Sequence, residues 1–204
     1  MNHPSTTRTD EELWRSAIGG SADAWGEIFL RHHRAIYNFC FRRTGHWSVA
    51  EDLTSTVFLE GWRRRKEVQP YAGSALPWLY GIATMLTRNH HRSLRRYRSA
   101  LERIPPPAEE HDPAEDAAAR IDAERQVARI RIAMRHLRQR EVDILELAAT
   151  GRLSHAEIAA ALSISVGTVK SRLSRARERL GHVADEVPPT DRSGPTQPDV
   201  RQRR

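Results

Sequence analysis

The chain has 204 residues and a formal net charge of +7, enough for one domain or two small ones, and a balance that favours a polyanionic partner over an acidic small molecule. Cys40 is the only cysteine, which excludes an intrachain disulfide and suits a reducing compartment. No run of 18 apolar residues occurs and the N-terminus lacks the apolar core of a signal peptide, so a soluble, cytoplasmic protein without a membrane span is expected.

Helical signals dominate from the start. Thr9 and Glu12 have the spacing of a capping box, in which each side chain satisfies an orphan N–H of the first turn. Leu13, Trp14, Ala17 and Ile18 follow as an apolar face before Gly19-Gly20 breaks the helix. A long helix is expected over residues 21–43, with Trp25, Ile28, Phe29, Ala35, Ile36 and Phe39 as its stripe and Thr44-Gly45 at its end. Ser48 and Glu51 read as another capping box, opening a helix to Lys66 that turns Leu53, Val57, Phe58 and Trp62 inward. Asp52 on this helix could form an internal ion pair or meet a basic patch on a protein partner; the residues alone leave both open.

Pro70, Gly73 and Pro77 punctuate the loop that follows, and a further helical pattern runs from Trp78 to Arg98 through Leu79, Ile82, Met85, Leu86 and Leu94. Its second half carries Arg88, Arg92, Arg95, Arg96 and Arg98, interleaved with Asn89, His90, His91 and Tyr97 and without an acid, a run able to neutralise several phosphates. The loop Tyr71-Ala72-Gly73-Ser74-Ala75 lies beside Trp78 and Tyr80 in sequence. Aromatic rings next to a basic helix suit unpaired bases, whose stacking is worth about 1–3 kcal/mol each; Trp78 reads equally well as core.

Residues 103–118 then change character: Pro105, Pro106, Pro107 and Pro113 stand among Glu109, Glu110, Asp112, Glu115 and Asp116. That is a linker stiffened by proline and extended by like charge. The expected fold class is all-α, two small helical domains joined by a flexible, acidic, Pro-rich linker. The divisions are an N-terminal segment 1–20, a helical domain 21–100, the linker 101–118, a helix-turn-helix domain 119–181, and a tail 182–204 whose Pro, Asp, Arg and Gln content reads as disorder.

The helix-turn-helix reading rests on residues 154–180, SHAEIAAALSISVGTVKSRLSRARERL. Ser154 and Glu157 form a capping box, and Ile158, Ala159 and Leu162 share one face. Ser163-Ile164-Ser165 makes the turn, Ser165 is an N-cap, and Val166, Val169 and Leu173 dock the second helix. Its other face carries Lys170, Arg172, Arg175, Arg177 and Arg179, as a helix entering a major groove requires. Elsewhere, His32, His33 and Cys40 offer metal ligands without a converging third, and Cys40 reads as a small core residue. No phosphate loop, nucleophile–base pair or carboxylate pair is legible, so no catalysis, cofactor or metal is expected.

Three blocks, AEDLTSTVFLEGWRR (50–64), LPWLYGIATMLTRNHHRSLRR (76–96) and REVDILELAATGRLSHAEIAAALSISVGTVKSRLSRARERL (140–180), resemble extracytoplasmic-function sigma factors, in that family's order and around a linker where the family has one. The resemblance implies a dissociable, non-catalytic initiation subunit of bacterial RNA polymerase. It implies that Glu51, Asp52, Ser55, Phe58 and Trp62 dock on the clamp helices of the largest polymerase subunit, and that the C-terminal domain meets the flap of the second-largest. Tyr71, Gly73, Ser74 and Trp78 would capture a flipped base of the minus-ten element, with Arg88, Asn89, Arg92, Arg95 and Arg96 lining the DNA. Ser165, Thr168, Lys170, Ser171, Arg172, Ser174 and Arg175 match the positions facing the minus-thirty-five element. The linker would thread toward the RNA exit path, and an anti-sigma factor is a partner the family often uses.

The chain departs from the family pattern at three positions. Ser55 stands where many members carry Gln or Glu. Asp143 interrupts an apolar run (Val142, Ile144, Leu145), so looser packing is expected there. Ser163 stands where Gly is frequent, and a positive φ would add strain on the order of 1 kcal/mol. The alternative reading is a helix-turn-helix regulator that binds duplex DNA tightly without polymerase. A helical nuclease lacks its carboxylate cluster, and an RNA adaptor using residues 88–98 leaves the helix-turn-helix unexplained.

Overall fold

A computed structural model of the chain describes residues 8–68, 70–101 and 117–186, and every regular element among them is helical. Helix α1 spans Asp10–Ile18 and starts as its sequence dictates: the Thr9 N–H donates to Glu12 Oε2 at 2.7 Å and the Glu12 N–H to Thr9 Oγ1 at 3.3 Å. Helix α2, Ala22–Thr44, is capped by the Ser21 hydroxyl and ended by Gly45 at φ 74°, a left-handed stop that glycine adopts without steric cost.

Helix α3, Trp47–Arg64, corrects one expectation. Ser48 and Glu51 form no capping box; the N-cap is His46, without a side-chain bond. The left-handed turn at Gly45 and the stacking of Trp47 on Phe41, with ring centroids 4.2 Å apart, fix where the helix begins. Ser48 therefore falls inside the first turn, and Glu51 is left at the surface.

Helix α4, Leu76–Leu101, opens two residues earlier than expected. Pro77 lies in the first turn, where its missing N–H has no helical acceptor to lose, and Ser74 Oγ accepts from the Leu76 N–H at 3.3 Å. These four helices close over Leu13, Trp14, Ile28, Ile36, Phe39, Val57, Leu79 and Tyr80, with Trp14 meeting Trp25 and Trp78 edge-on. Ile18, expected inside, is exposed. Gly61 brings α3 against α2, since a Cβ there would stand 2.9 Å from the Trp25 ring. Cys40 is core, as read, and burial raises its thiol to about 11. His32 binds Asp10 and His33 stacks on Phe29, so the three candidate ligands are engaged separately.

The C-terminal module comprises α5 (Ala117–Ala133), a 3-10 turn at Met134–His136, α6 (Gln139–Ala149), α7 (His155–Leu162) and α8 (Val166–Glu186). Helix α5 begins inside the expected linker and α8 continues past Gly181, the expected end of the domain. The rest of the linker, residues 102–116, and the tail from 187 lie outside the described residues.

The two modules touch. At Gly81 of α4 a Cβ would lie 2.5 Å from the Ala161 carbonyl oxygen of α7, so the backbones meet with no side chain between them. Arg131 of α5 donates to the Thr44 carbonyl at the end of α2, at 2.8 Å. Beneath these contacts sits Asp143, fully buried, and the expectation of loose packing there is overturned. Its carboxylate accepts from Arg43 Nη2 at 2.7 Å, Arg88 Nε at 2.8 Å and Gln139 Nε2 at 3.2 Å. Arg43 also binds Glu146, whose carboxyl is raised by burial against the opposing charge of Arg43. A buried carboxylate is tolerable only when its oxygens are filled in this way.

Candidate nucleic-acid interface

Three surfaces gather the expected site residues. The first is the second helix of the helix-turn-helix. Ser163 closes α7 at φ 53° and ψ 47°, the left-handed conformation its position called for. Ser165 Oγ then accepts from the Thr168 N–H at 3.2 Å, capping α8. Val169, Leu173 and Ala176 are buried along one side, whereas Val166, expected to dock, is half exposed at the first turn. The other side presents Ser165, Lys170, Ser171, Ser174 and Arg175 to solvent, with Thr168 and Arg172 at its edge. Arg175 is steadied by the Ser171 carbonyl at 3.2 Å, while Lys170 and Arg172 make no ion pair with a described residue. Arg179 is occupied, bound to Glu141 at 2.7 Å.

The second surface is the loop and basic helix of the N-terminal module. Ser74 N–H donates to the Tyr71 carbonyl at 3.1 Å, and the two central residues, Ala72 (φ 50°) and Gly73 (φ 74°), are both left-handed, the signature of a type I′ turn. Tyr71 is exposed at the tip, while Trp78 is half buried against Trp14. Along α4 the positive charge divides by helical phase. Asn89, Arg92 and Arg96 recur at i, i+3 and i+7 on the solvent face. Arg88, His91 and Arg95 share the next face and turn toward the C-terminal module, Arg88 onto Asp143 and the other two into a cleft. Five residues expected to act together are thus split between two neighbours.

The third surface lies on α3. Glu51, Asp52 and Ser55 are exposed, and Leu59 continues their line outward. Phe58, expected among the docking residues, is only 4% exposed, because its ring is held between Trp25 and Phe29. It forms the floor of an apolar hollow of about 350 Å³ lined also by Ala22, Trp25, Leu59 and Trp62. The Arg65 guanidinium lies 3.5 Å over the Trp62 ring and covers one of its faces.

Comparison with known proteins gives these surfaces a context. Residues 28–97 match Sigma-70 region 2 and residues 128–180 match Sigma-70 region 4. The RNA polymerase sigma factor HrpL of Pseudomonas syringae is 33% identical over 150 residues, which cover 72% of this chain and 79% of HrpL. The chain belongs to the extracytoplasmic-function (ECF) RNA polymerase sigma factors. The ECF sigma factor SigK of Mycobacterium tuberculosis is 27% identical across 91% of this chain and 99% of its own length. SigE of Mycolicibacterium smegmatis is 32% identical over 77% of this chain, which spans 60% of SigE. The fold is that of CnrH solved with the cytosolic domain of CnrY, with a TM-score of 0.63 at 23% identity, covering 86% of this chain and 97% of CnrH. This sigma factor accordingly directs transcription from particular promoters, working with core RNA polymerase and promoter DNA. Its family consists of initiation factors without enzymatic activity. Among the described residues no helix is long and apolar enough to cross a membrane.

Two features of the sigma factor escaped the sequence. Asp10 accepts from the Ala75 N–H at 3.2 Å, from Arg31 at 3.1 Å and from His32 at 2.6 Å, so α1 anchors the base of the Tyr71–Ser74 turn. Burial opposes ionisation of this carboxyl, but His32, the Ala75 N–H and Arg31 together bring it down to about 2. The second is Leu59, whose exposure extends the α3 surface; a leucine four residues beyond Ser55 was the available signal.

Proposed function

We propose a division of labour in which α3 engages the polymerase, the Tyr71–Ser74 turn with α4 holds the melted minus-ten strand, and α8 reads the minus-thirty-five element. The observation that carries it is the uninterrupted solvent face of α8, where Lys170, Ser171, Ser174 and Arg175 stand beside Arg172 over a buried Val169–Leu173–Ala176 stripe. A bidentate arginine–guanine contact there would be worth about 1–3 kcal/mol. On α4, Asn89, Arg92 and Arg96 are assigned to DNA phosphates first; Arg88 and Arg95 join them only when the two modules separate. Glu51, Asp52, Ser55, Leu59 and Trp62 are assigned to the clamp helices of the largest subunit, with Phe58 shaping the hollow from beneath. The C-terminal module is assigned to the flap of the second-largest subunit.

The protein itself performs no catalysis in this reading and acts in the cytoplasm, where its polymerase is. CnrH is solved with CnrY, and RpoE of Bartonella quintana with the anti-sigma factor NepR; an anti-sigma factor is proposed for this chain as well.

Transcription in vitro with core polymerase on a randomised promoter library tests the assignment. The chain should enrich a bipartite promoter, and Arg175→Ala should relax its upstream half while co-purification with core enzyme is unchanged. Equal loss of core association would overturn the division, and tight operator binding without polymerase would favour an autonomous regulator.

A further inference from the structure

Between the two modules lies a cleft of about 500 Å³ that none of the three surfaces uses while the modules are together; Arg95 is the residue it shares with the second. Its walls come from both bodies: His91 and Arg95 from α4, Arg43 from α2, Arg131 and Arg135 from α5 and the 3-10 turn, and Glu146 from α6. We infer that this cleft binds an organic polyphosphate of nucleotide size, which, being gripped from both sides, holds the modules together.

The charge balance makes the case. Arg43 and Arg88 are matched by Asp143 and Glu146, so Arg95 and Arg135 are left as the excess around the opening. Arg95 and Arg135 are exposed and make no ion pair with a described residue, whereas Arg131 is committed in part to the Thr44 carbonyl. Arg43 lines the floor nearly fully buried, and its Nε has no hydrogen-bond partner among the described residues. His91 reports the local field: burial first, then the charges of Arg131 and Arg43, lower it to about 4, so its ring is neutral at pH 7. A planar guanidinium grips phosphate oxygens two at a time, and several around one opening suit an anion with more than one phosphate.

The remaining lining selects among anions. Leu94, Met134, Leu137 and Val142 give the cleft an apolar side, which inorganic phosphate would leave uncovered and an organic moiety would fill. The volume falls in the range of small-ligand sites. A nucleic-acid strand is the poorer occupant, because its natural footing is the outer face of α4, where Arg92 and Arg96 stand at solvent.

Because ligand and linkage are both measurable without polymerase, the test is separable from the promoter-binding roles assigned above. The full chain is titrated calorimetrically, at matched ionic strength, with ATP, GTP, tripolyphosphate, sulfate and a short single-stranded oligonucleotide. A nucleoside triphosphate should bind more tightly than tripolyphosphate and should raise the melting temperature. Arg135→Glu should weaken binding about tenfold or more, and Arg95→Glu on the opposite wall should do the same, so a folding defect in one variant leaves the other to decide. The control Arg63→Ala, remote on α3, should bind as the parent does. Equal binding of tripolyphosphate overturns the organic assignment. Binding of the oligonucleotide alone, a response to sulfate of the same size, or parental affinity in both charge reversals overturns the site.

Discussion

Helices α4 and α8 carry similar charge for opposite structural reasons. In α8 the apolar stripe is satisfied within its own module, and the basic face from Lys170 to Arg175 is left at solvent, with Arg179 farther along bound to Glu141. In α4 the basic residues fall on two faces, and one of them is claimed by a carboxylate of the other module. A count of arginines therefore says little about which of them are available; the acid opposite decides.

The largest effect should come from removing that acid. Asp143→Ala leaves Arg43 buried with only Glu146 and frees Arg88, and breaking a buried pair from one side costs about 3–5 kcal/mol. Urea denaturation measures it. If the loss is under about 1 kcal/mol, the inner face of α4 is not held and its contrast with α8 fails.

Next comes the anchor beneath the lead-in to α4, which α8 lacks. Asp10 is lowered to about 2 from 3.8 in the folded chain, so its stabilisation is present above about pH 4 and drains away as pH falls toward 2. A shift of that size corresponds to about 2 kcal/mol. Asp10→Asn should flatten this part of the acid denaturation profile and weaken minus-ten binding more than minus-thirty-five binding. A loss shared equally by both would show that the anchor does not act through the Tyr71–Ser74 turn.

The smallest effect concerns what the two helices share. Each is preceded by a non-glycine residue at positive φ, Ala72 for α4 and Ser163 for α8. Relief of that strain by Ala72→Gly or Ser163→Gly should stabilise the chain by up to about 1 kcal/mol, reduced by the greater freedom of glycine when unfolded. Melting temperatures of the two variants give the comparison directly; a decrease in both would mean the left-handed conformation is not strained here.

Where the signal was local, the chain was readable in advance. The boxes at Thr9 with Glu12 and Ser154 with Glu157, the stop at Gly45 and the turn at Ser163 all depend on residues within a few positions of each other. The box expected at Ser48 and Glu51 failed because a ring contact at Trp47 competed with it. Helix α5 is not legible in the sequence because AAARIDAERQVARIRIA has no continuous apolar stripe; Val127 and the reach of Arg131 to Thr44 hold it. Asp143 looked like a flaw because Arg43, one hundred residues earlier, is what makes it fit. Of the residues proposed to face DNA, the solvent exposure of those on α8 follows from helical phase alone. That of those on α4 does not, since the element opposing them is distant in sequence.

The meeting of Gly81 with the Ala161 carbonyl has a mechanical corollary. Main chain rests on main chain there, without flexible side chains that could compress or slide to accommodate partial separation. Packed surfaces of this stiffness tend to have discrete arrangements rather than a continuum. The two halves of the promoter reader should accordingly part in a single cooperative step, more like a snap fastener than a spring.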